Sequence, residues 1–541
     1  MERTRENVEG LARVGSFLVR RGTRLALAWL VSLTAAALAG YFAWTCWDDG
    51  GRADGNWGHG SIDFGGQWVM GRMIVKGYGR HLYDRNYLRT ALNEAYPRAD
   101  ENRADPPSDA EKLMMWTMGR DDPDAPDTVA SFAAPFAAPD ALGAAALLAA
   151  GQEGWTRERL DQVTAPHLGG PLYPPVHAVL FAPLGALPPR PAYRLVQALN
   201  LLLAFVCGWL AQRLTHGRVW LPVAATLLMV FPSFAGSINL GQNATLSLAL
   251  LTVGWLLMTR GWPVLGGVVW GLLAFKPVWA ASFFLVPLLT RRWRVCAAML
   301  ATGAALSLLT LPFVGVQTWF DWLGVGRLAT AHYNQDEPWI FLSRDLVGVP
   351  RRWLLHFDKT ERATDPDLLL PRVLGLGLWL GAVGATVLVA LARWRRPAAV
   401  AGPAAAFVLL GAWLSCYHFM YYDVLLAALP VCLLFTDPRQ YLEVHFLRRP
   451  ARPLPPEALA YYDPRLGSPL PEGPPPDRGR WVWNALPPTA LVLVIGFPYL
   501  CIWLDPTHHY PPMDLFTLLV LWAWCGWSWL RRPEVGEWAL P

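Results

Sequence analysis

Crossing the hydrocarbon core of a bilayer takes about 20 mostly apolar residues, and this chain repeats that pattern along most of its length. Apolar runs at 24–46, 191–212, 219–236, 244–259, 262–275, 278–290, 295–314, 368–392, 398–414, 423–436, 487–505 and 514–530 give twelve candidate spans. Charged residues make up 16% of the chain, against roughly 25% in soluble domains, and 54% are hydrophobic. Inside lipid every backbone N–H and C=O needs an internal partner, so runs of this length predict helices. The expected fold class is an all-α, polytopic integral membrane protein with about twelve transmembrane helices.

Basic residues decide how the spans thread. Short Arg-rich segments mark the cytoplasmic side. Arg13, Arg20, Arg21 and Arg24 precede the first run, and Arg213 and Arg218 follow the second. Arg260, "RRWR" at 291–294, "RWRR" at 393–396, Arg439 with Arg448, Arg449 and Arg452, and Arg531 with Arg532 follow later ones. Twelve spans put all of these clusters on one side, which keeps 262–275 and 278–290 as two short spans joined outside by Lys276–Pro277. The run from Leu25 to Cys46 is too long for a signal-peptide apolar core and reads as an uncleaved first span.

The expected organisation follows. Residues 1–23 form a cytoplasmic segment, and 24–436 a membrane-embedded core with two large extracytoplasmic loops, 47–190 and 315–367. Residues 437–486 form a Pro-rich cytoplasmic linker, and 487–541 a C-terminal helix pair. Within the first loop, 129–150 reads as an interfacial helix pair and 173–196 as an interfacial stretch leading into the second span. The seven Cys form no CxxC pair and read as small buried apolar residues.

The threading gathers polar groups on the outer side. Asp63 follows the first span, and "NLGQN" with Gln242 and Asn243 joins the third and fourth. Lys276 joins the fifth and sixth, "HYNQDEPWIFLSRD" lies in the second long loop, and "SCYHFMYYD" joins the ninth and tenth. A carboxylate, an ammonium, an imidazole and amides at one surface are an inventory for handling a phosphate and a hydroxyl. Each piece also has a plainer structural reading. Asp63 and Asn243 suit helix N-caps, Lys276 suits a snorkelling side chain, and Tyr417 to Tyr422 suit an interfacial aromatic belt. Asn334–Gln335 suits an ordinary loop.

In order and spacing these motifs resemble glycosyltransferase family 87, the polyprenyl-phosphate-dependent mannosyltransferase-like proteins of the glycosyltransferase-C fold. The family pattern has an Asp after the first span, then a Gly-x-x-x-Leu-Tyr element. This chain has Asp63, then "GYGRHLYD" with Tyr83. Tyr-Pro-Pro corresponds to "YPPVHAVLFAPLGALPP" opening at Tyr173, and Gly-Gln-Asn to Gly241–Asn243. A Leu-Ala-x-x-Lys-Pro element resembles "LLAFKP", one residue shorter between Ala and Lys276. An Asn-Gln pair corresponds to Asn334 and Gln335, and a late Ser and His to Ser415 and His418. The resemblance covers roughly 20–436. Two departures are an insertion at about 95–170 and "DEPWIF" where a Ser-rich stretch is usual.

The resemblance implies an inverting hexosyltransferase at the cell inner (plasma) membrane, its active site facing outward. It would move mannose or a similar hexose from a polyprenyl-phosphate donor to a lipid or glycan acceptor hydroxyl. Asp63 would be the general base, with Lys276 and His418 stabilising the leaving phosphate. Gln242, Asn243, Asn334, Gln335, Tyr83 and Tyr173 would bind donor phosphate or sugar. No metal, no further cofactor and no nucleic acid are expected. A lipid-linked sugar transporter or flippase, a lipid-linked glycan polymerase or ligase, and a non-catalytic relative are the competing expectations.

Overall fold

The computed structural model describes residues 21–48, 63–84, 87–88, 90–91, 172–217, 219–333, 337–357, 369–393, 401–434, 493–496, 500 and 512–531. The expected helix pair at 129–150, the insertion at 95–170 and the Pro-rich linker at 437–486 lie outside them, as do Asn334 and Gln335.

The elements among the described residues are all helices, joined by turns, with an isolated antiparallel bridge between Ser343 and Met420. Among the described residues five helices are long and apolar enough to cross a membrane: α1 (Arg21–Thr45), α4 (Pro189–Leu214), α10 (Trp293–Val314), α14 (Leu369–Ala392) and α17 (Met513–Arg531). The run expected as one span at 219–236 is two helices, α5 (Leu221–Met229) and α6 (Pro232–Leu240), bent by 71°. Phe231, just ahead of Pro232, is extended (φ −72°, ψ 129°). A residue before proline avoids helical angles, so the chain turns where the sequence dictates. Shorter apolar helices occupy four more of the expected runs, α7 (Ala244–Thr259), α8 (Pro263–Gly271), α9 (Pro277–Leu289) and α15 (Gly402–Leu414), while the run expected at 487–505 lies mostly outside the described residues. A 3-10 turn at Tyr421–Ala427 leads into α16 (Ala428–Leu434).

Helix α15 is hydrophobic on all sides and is buried at nearly every position from Gly402 to Leu414. A helix of that composition belongs at the centre, and α9, α14, α16 and α17 pack around it. Helix α1 is the opposite case. Only 6% of its apolar window is buried, so its side chains face outward to the surroundings.

The stretch expected as the second long loop carries α11 (Gln317–Tyr333), α12 (Glu337–Leu342) and α13 (Val349–Leu354). The stretch expected as the first carries α2 (Asp63–Val75) and α3 (Pro175–Gly185), which precedes α4. Helices α2 and α3 run antiparallel in close contact. Trp68 donates its indole N–H to Leu187 O at 3.0 Å, while Tyr83, beyond the other end of α2, donates to Tyr173 O at 2.6 Å. Contact at the crossing is backbone on backbone. A Cβ on Gly71 would stand 2.4 Å from Phe181 O, and one on Gly185 would stand 2.2 Å from Arg72 N.

Candidate functional site

The site begins with a turn that needs glycine. Gly241 ends α6 in the left-handed region (φ 65°, ψ 33°). A Cβ there would come within 2.6 Å of Phe64 Cβ, so conformation and close approach demand the same residue. Phe64 is buried in the first turn of α2 and meets Tyr193 edge-on at 5.1 Å. One turn later Gln67 donates to Gly241 O at 3.1 Å, and its Oε1 accepts from Asn243 Nδ2 at 3.3 Å. The first turn of α2, which opens at Asp63, is thereby pinned to the Gly-Gln-Asn turn. The side chain of Asp63 lies outside the described residues. Asn243 stands at the N-cap position of α7, but its side chain makes no capping bond. It reaches across to Gln67 instead.

A second layer surrounds this turn. Asn200 Nδ2 donates to Gln242 O at 3.3 Å, and the Tyr193 hydroxyl donates to Asn239 O. Tyr173 donates its hydroxyl to Gln242 Oε1 at 3.2 Å, and that oxygen also accepts from Asn243 N at 3.3 Å. Burial, and secondarily Asp321, push the Tyr83 phenol well above its ordinary pKa, so it stays protonated as the donor to Tyr173 O. Tyr83, Tyr173, Gln242 and Asn243, four of the residues expected to bind donor, form one hydrogen-bonded chain.

From Tyr173 the site continues along α3. His177 is fully buried and stacks between Tyr173 (4.1 Å) and Phe181 (4.0 Å). Burial first, and then the charge of Lys276, hold its pKa well below the ordinary imidazole value. Phe275 lies 6.0 Å from the same ring. The next residue, Lys276, sits in an irregular conformation (φ −131°, ψ 75°) ahead of α9. Its ammonium reaches Asp423 Oδ1 at 2.7 Å and Oδ2 at 2.9 Å, and lies 5.4 Å from the centre of the Tyr422 ring. Both partners of the ion pair are buried. The cation expected at this position is therefore a paired one.

His418 lies on the same stretch of chain. Its Nδ1 is 3.0 Å from Asp345 Oδ2, and Asp345 Oδ1 accepts from Gly348 N at 2.6 Å. The ring is part-exposed, with 29% of its side chain accessible. Burial alone would raise the pKa of Asp345. The hydrogen bond and charge of His418, the Gly348 N–H and the charge of Arg351 together outweigh it and hold the carboxyl below its ordinary range. Behind this pair Arg344 donates to both oxygens of Asp514 at 3.0 and 2.9 Å, tying the loop to α17. Among the described residues no three His, Cys, Asp or Glu side chains form a group able to hold a metal.

Sequence reasoning did not pick out Gln67, Asn200, His177, Asp345 or Asp423. Asp345 and Asp423 close the two quoted stretches "HYNQDEPWIFLSRD" and "SCYHFMYYD". An acidic residue ending an otherwise apolar or aromatic run was the available signal. His177 stands four residues after Tyr173, one helical turn along the same face.

Residues 172–416 match glycosyltransferase family 87, the family that the motifs resemble. The match begins just before Tyr173 and ends just before His418, so Asp63 and Tyr83 lie ahead of it. A similar curated protein is the alpha-(1->3)-arabinofuranosyltransferase of Mycobacterium tuberculosis, from the strains CDC 1551 / Oshkosh and ATCC 25618 / H37Rv. It is 30% identical over 181 residues, 30% of this chain. The chain spans 39% of the length of that relative. No solved structure matches the chain.

Proposed function

We propose, from the glycosyltransferase family 87 match over residues 172–416, that this chain is a membrane glycosyltransferase using a polyprenyl-phosphate sugar as donor. It passes the sugar to a lipid or glycan hydroxyl on the extracytoplasmic side of the inner membrane. The observation that carries this reading is the join between α2 and the Gly-Gln-Asn turn. Two hydrogen bonds at Gln67, one donated to Gly241 O and one accepted from Asn243 Nδ2, hold the helix opened by Asp63 against the family-matched motif.

In this reading Asp63 accepts the proton of the acceptor hydroxyl as its oxygen attacks the anomeric carbon. The bond to the phosphate oxygen breaks on the opposite face, so the anomeric configuration inverts. General-base assistance of this kind is worth roughly 10²–10⁴-fold in rate. The leaving phosphate gains charge, and fixed dipoles and cations in a water-poor site act strongly on developing charge. Lys276, positioned by Asp423, and His418, oriented by Asp345, are assigned that task. Bidentate pairing moderates the charge of Lys276 but fixes its position. Tyr83, Tyr173, Gln242, Asn243, Asn334 and Gln335 are assigned to binding donor phosphate or sugar.

A hexose such as mannose is the first reading of the sugar. A pentofuranose is the second, favoured by the name of the arabinofuranosyltransferase relative. The test is transfer by purified protein in lipid nanodiscs from polyprenyl-phosphate mannose, glucose and arabinofuranose to mixed lipid acceptors, beside Asp63→Asn. The expected result is product from one donor class and a loss of at least ~10²-fold in a folded Asp63→Asn variant. Equal turnover by both proteins removes Asp63 as base. Donor translocation by the same protein in sealed proteoliposomes, without product in either system, supports a flippase instead.

A further inference from the structure

Three neighbouring buried side chains leave polar atoms without a hydrogen-bond partner among the described residues. Gln242 leaves Nε2, Asn243 leaves Oδ1, and His177 leaves both ring nitrogens. Each of the three side chains is at least nine-tenths buried. Such atoms are costly to strand, and a native structure that tolerates several together has a reason for it.

The chemistry of the unmet atoms is mixed. The amide nitrogen donates and the amide oxygen accepts. A neutral imidazole supplies one donor and one acceptor. A phosphate could meet only the donors, and a cation only the acceptors. A hydroxyl group donates and accepts at once. The ammonium of Lys276 is already paired with Asp423, and the ring of His418 with Asp345. The stack of Tyr173, His177 and Phe181 covers both faces of the imidazole and leaves its nitrogen-bearing edge to choose partners.

We propose that His177, together with Gln242 and Asn243, binds the hydroxyl groups of the donor's sugar. This rests on the glycosyltransferase reading of the same site. The site then divides its labour: His177, Gln242 and Asn243 read the sugar, and the acid-paired Lys276 and His418 are left to the phosphate. His177 acts through its position as a neutral donor and acceptor and carries no reacting proton.

The test is binding by the full chain in nanodiscs. Its probes are sugar-free polyprenyl phosphate, polyprenyl-phosphate mannose and arabinofuranose, and singly deoxygenated analogues of each. The native protein is expected to bind a sugar-bearing lipid about 10-fold more tightly than the sugar-free one. Removing one particular hydroxyl should cost about 3–10-fold, the scale of one hydrogen bond. His177→Phe keeps the ring stack and removes both nitrogens. It should lose the same factor on the full sugar and nothing further on that one analogue, while binding to the sugar-free lipid stays unchanged. His177→Gln, which restores a donor and an acceptor, should recover part of the loss and serves if the Phe variant does not fold. Equal affinity of the native protein for lipids with and without sugar overturns the proposal. So does a His177→Phe variant that discriminates every analogue as the native protein does, or one that weakens all the lipids alike. Sugar-dependent binding without transfer would sink the transferase reading and leave this inference standing.

Discussion

Gly241 concentrates two demands at one position. Its left-handed backbone strains any side chain, and a Cβ would collide with Phe64. Left-handed angles alone cost a non-glycine residue roughly 1–3 kcal/mol. Gly241→Ala should therefore lower the melting temperature of the detergent-solubilised protein by several degrees, and should weaken donor binding more than Gly217→Ala does. Gly217 is also left-handed (φ 79°), but nothing stands within 4 Å of its would-be Cβ. Equal behaviour of the two variants would mean that contact with Phe64 is unimportant. At this scale the sequence was partly legible. The Gly-Gln-Asn string and Tyr173 stand out because turn residues interrupt apolar runs. His177 does not, because its neighbours along the helix are apolar and its loose ends show only in three dimensions.

Ion pairs lock elements that sequence leaves far apart. Lys276, ahead of α9, and Asp423, in the turn before α16, are separated by 147 residues, and no local pattern announces them as partners. Breaking a buried pair strands a charge, at roughly 3–5 kcal/mol, whereas replacing both partners by apolar groups is often neutral. Asp423→Ala should thus destabilise strongly. Lys276→Met combined with Asp423→Leu should recover most of the stability in chemical unfolding, yet remain inactive if the ammonium serves the phosphate. Recovery of activity in the double variant would remove Lys276 from the mechanism. Asp345 makes a pH-dependent contribution. Its folded-state pKa is lowered, so the stabilisation is complete above the unfolded value of about 3.9. It is lost as pH falls through the lower folded value. The stability advantage of the native protein over Asp345→Asn should shrink as pH falls below about 4. An advantage that persists unchanged to pH 3 would contradict the pairing with His418. Bends are legible at this scale as well, since Pro232 breaks an apolar run that composition alone would make a single span.

For the whole molecule, the apolar runs forecast where the helices lie. Eleven of the twelve expected runs coincide with described helices, a bent pair or a 3-10 turn leading into a helix, because length and hydrophobicity are properties of local sequence. Threading is a separate matter and is set by charge. Reporter fusions after Arg213, Arg294, Arg396, Arg452 and Pro541 should all report the cytoplasm, and fusions at Gln317 and Tyr417 the opposite side. A single fusion on the wrong side would break the parity of twelve spans. What sequence could not supply was the pairing of distant polar residues. The relevant separations, 73 residues for Asp345 with His418 and 174 for Gln67 with Gly241, leave no periodic trace.

The bond from Gln67 to Gly241 also sets a schedule for synthesis. A ribosome adding 5–20 residues per second emits Gly241 roughly 10–35 s after Gln67. Throughout that interval α2 has no turn to rest on, and its buried side chains, Phe64, Trp68, Met70 and Met73 among them, must find interim cover. Helix α3 arrives earlier and can shelter part of that surface, but the Gly-Gln-Asn turn closes only after α6 is made. A nascent chain halted between α4 and α6 would hold α2 and α3 side by side with no site between them. It should be the species that a membrane chaperone or protease meets first.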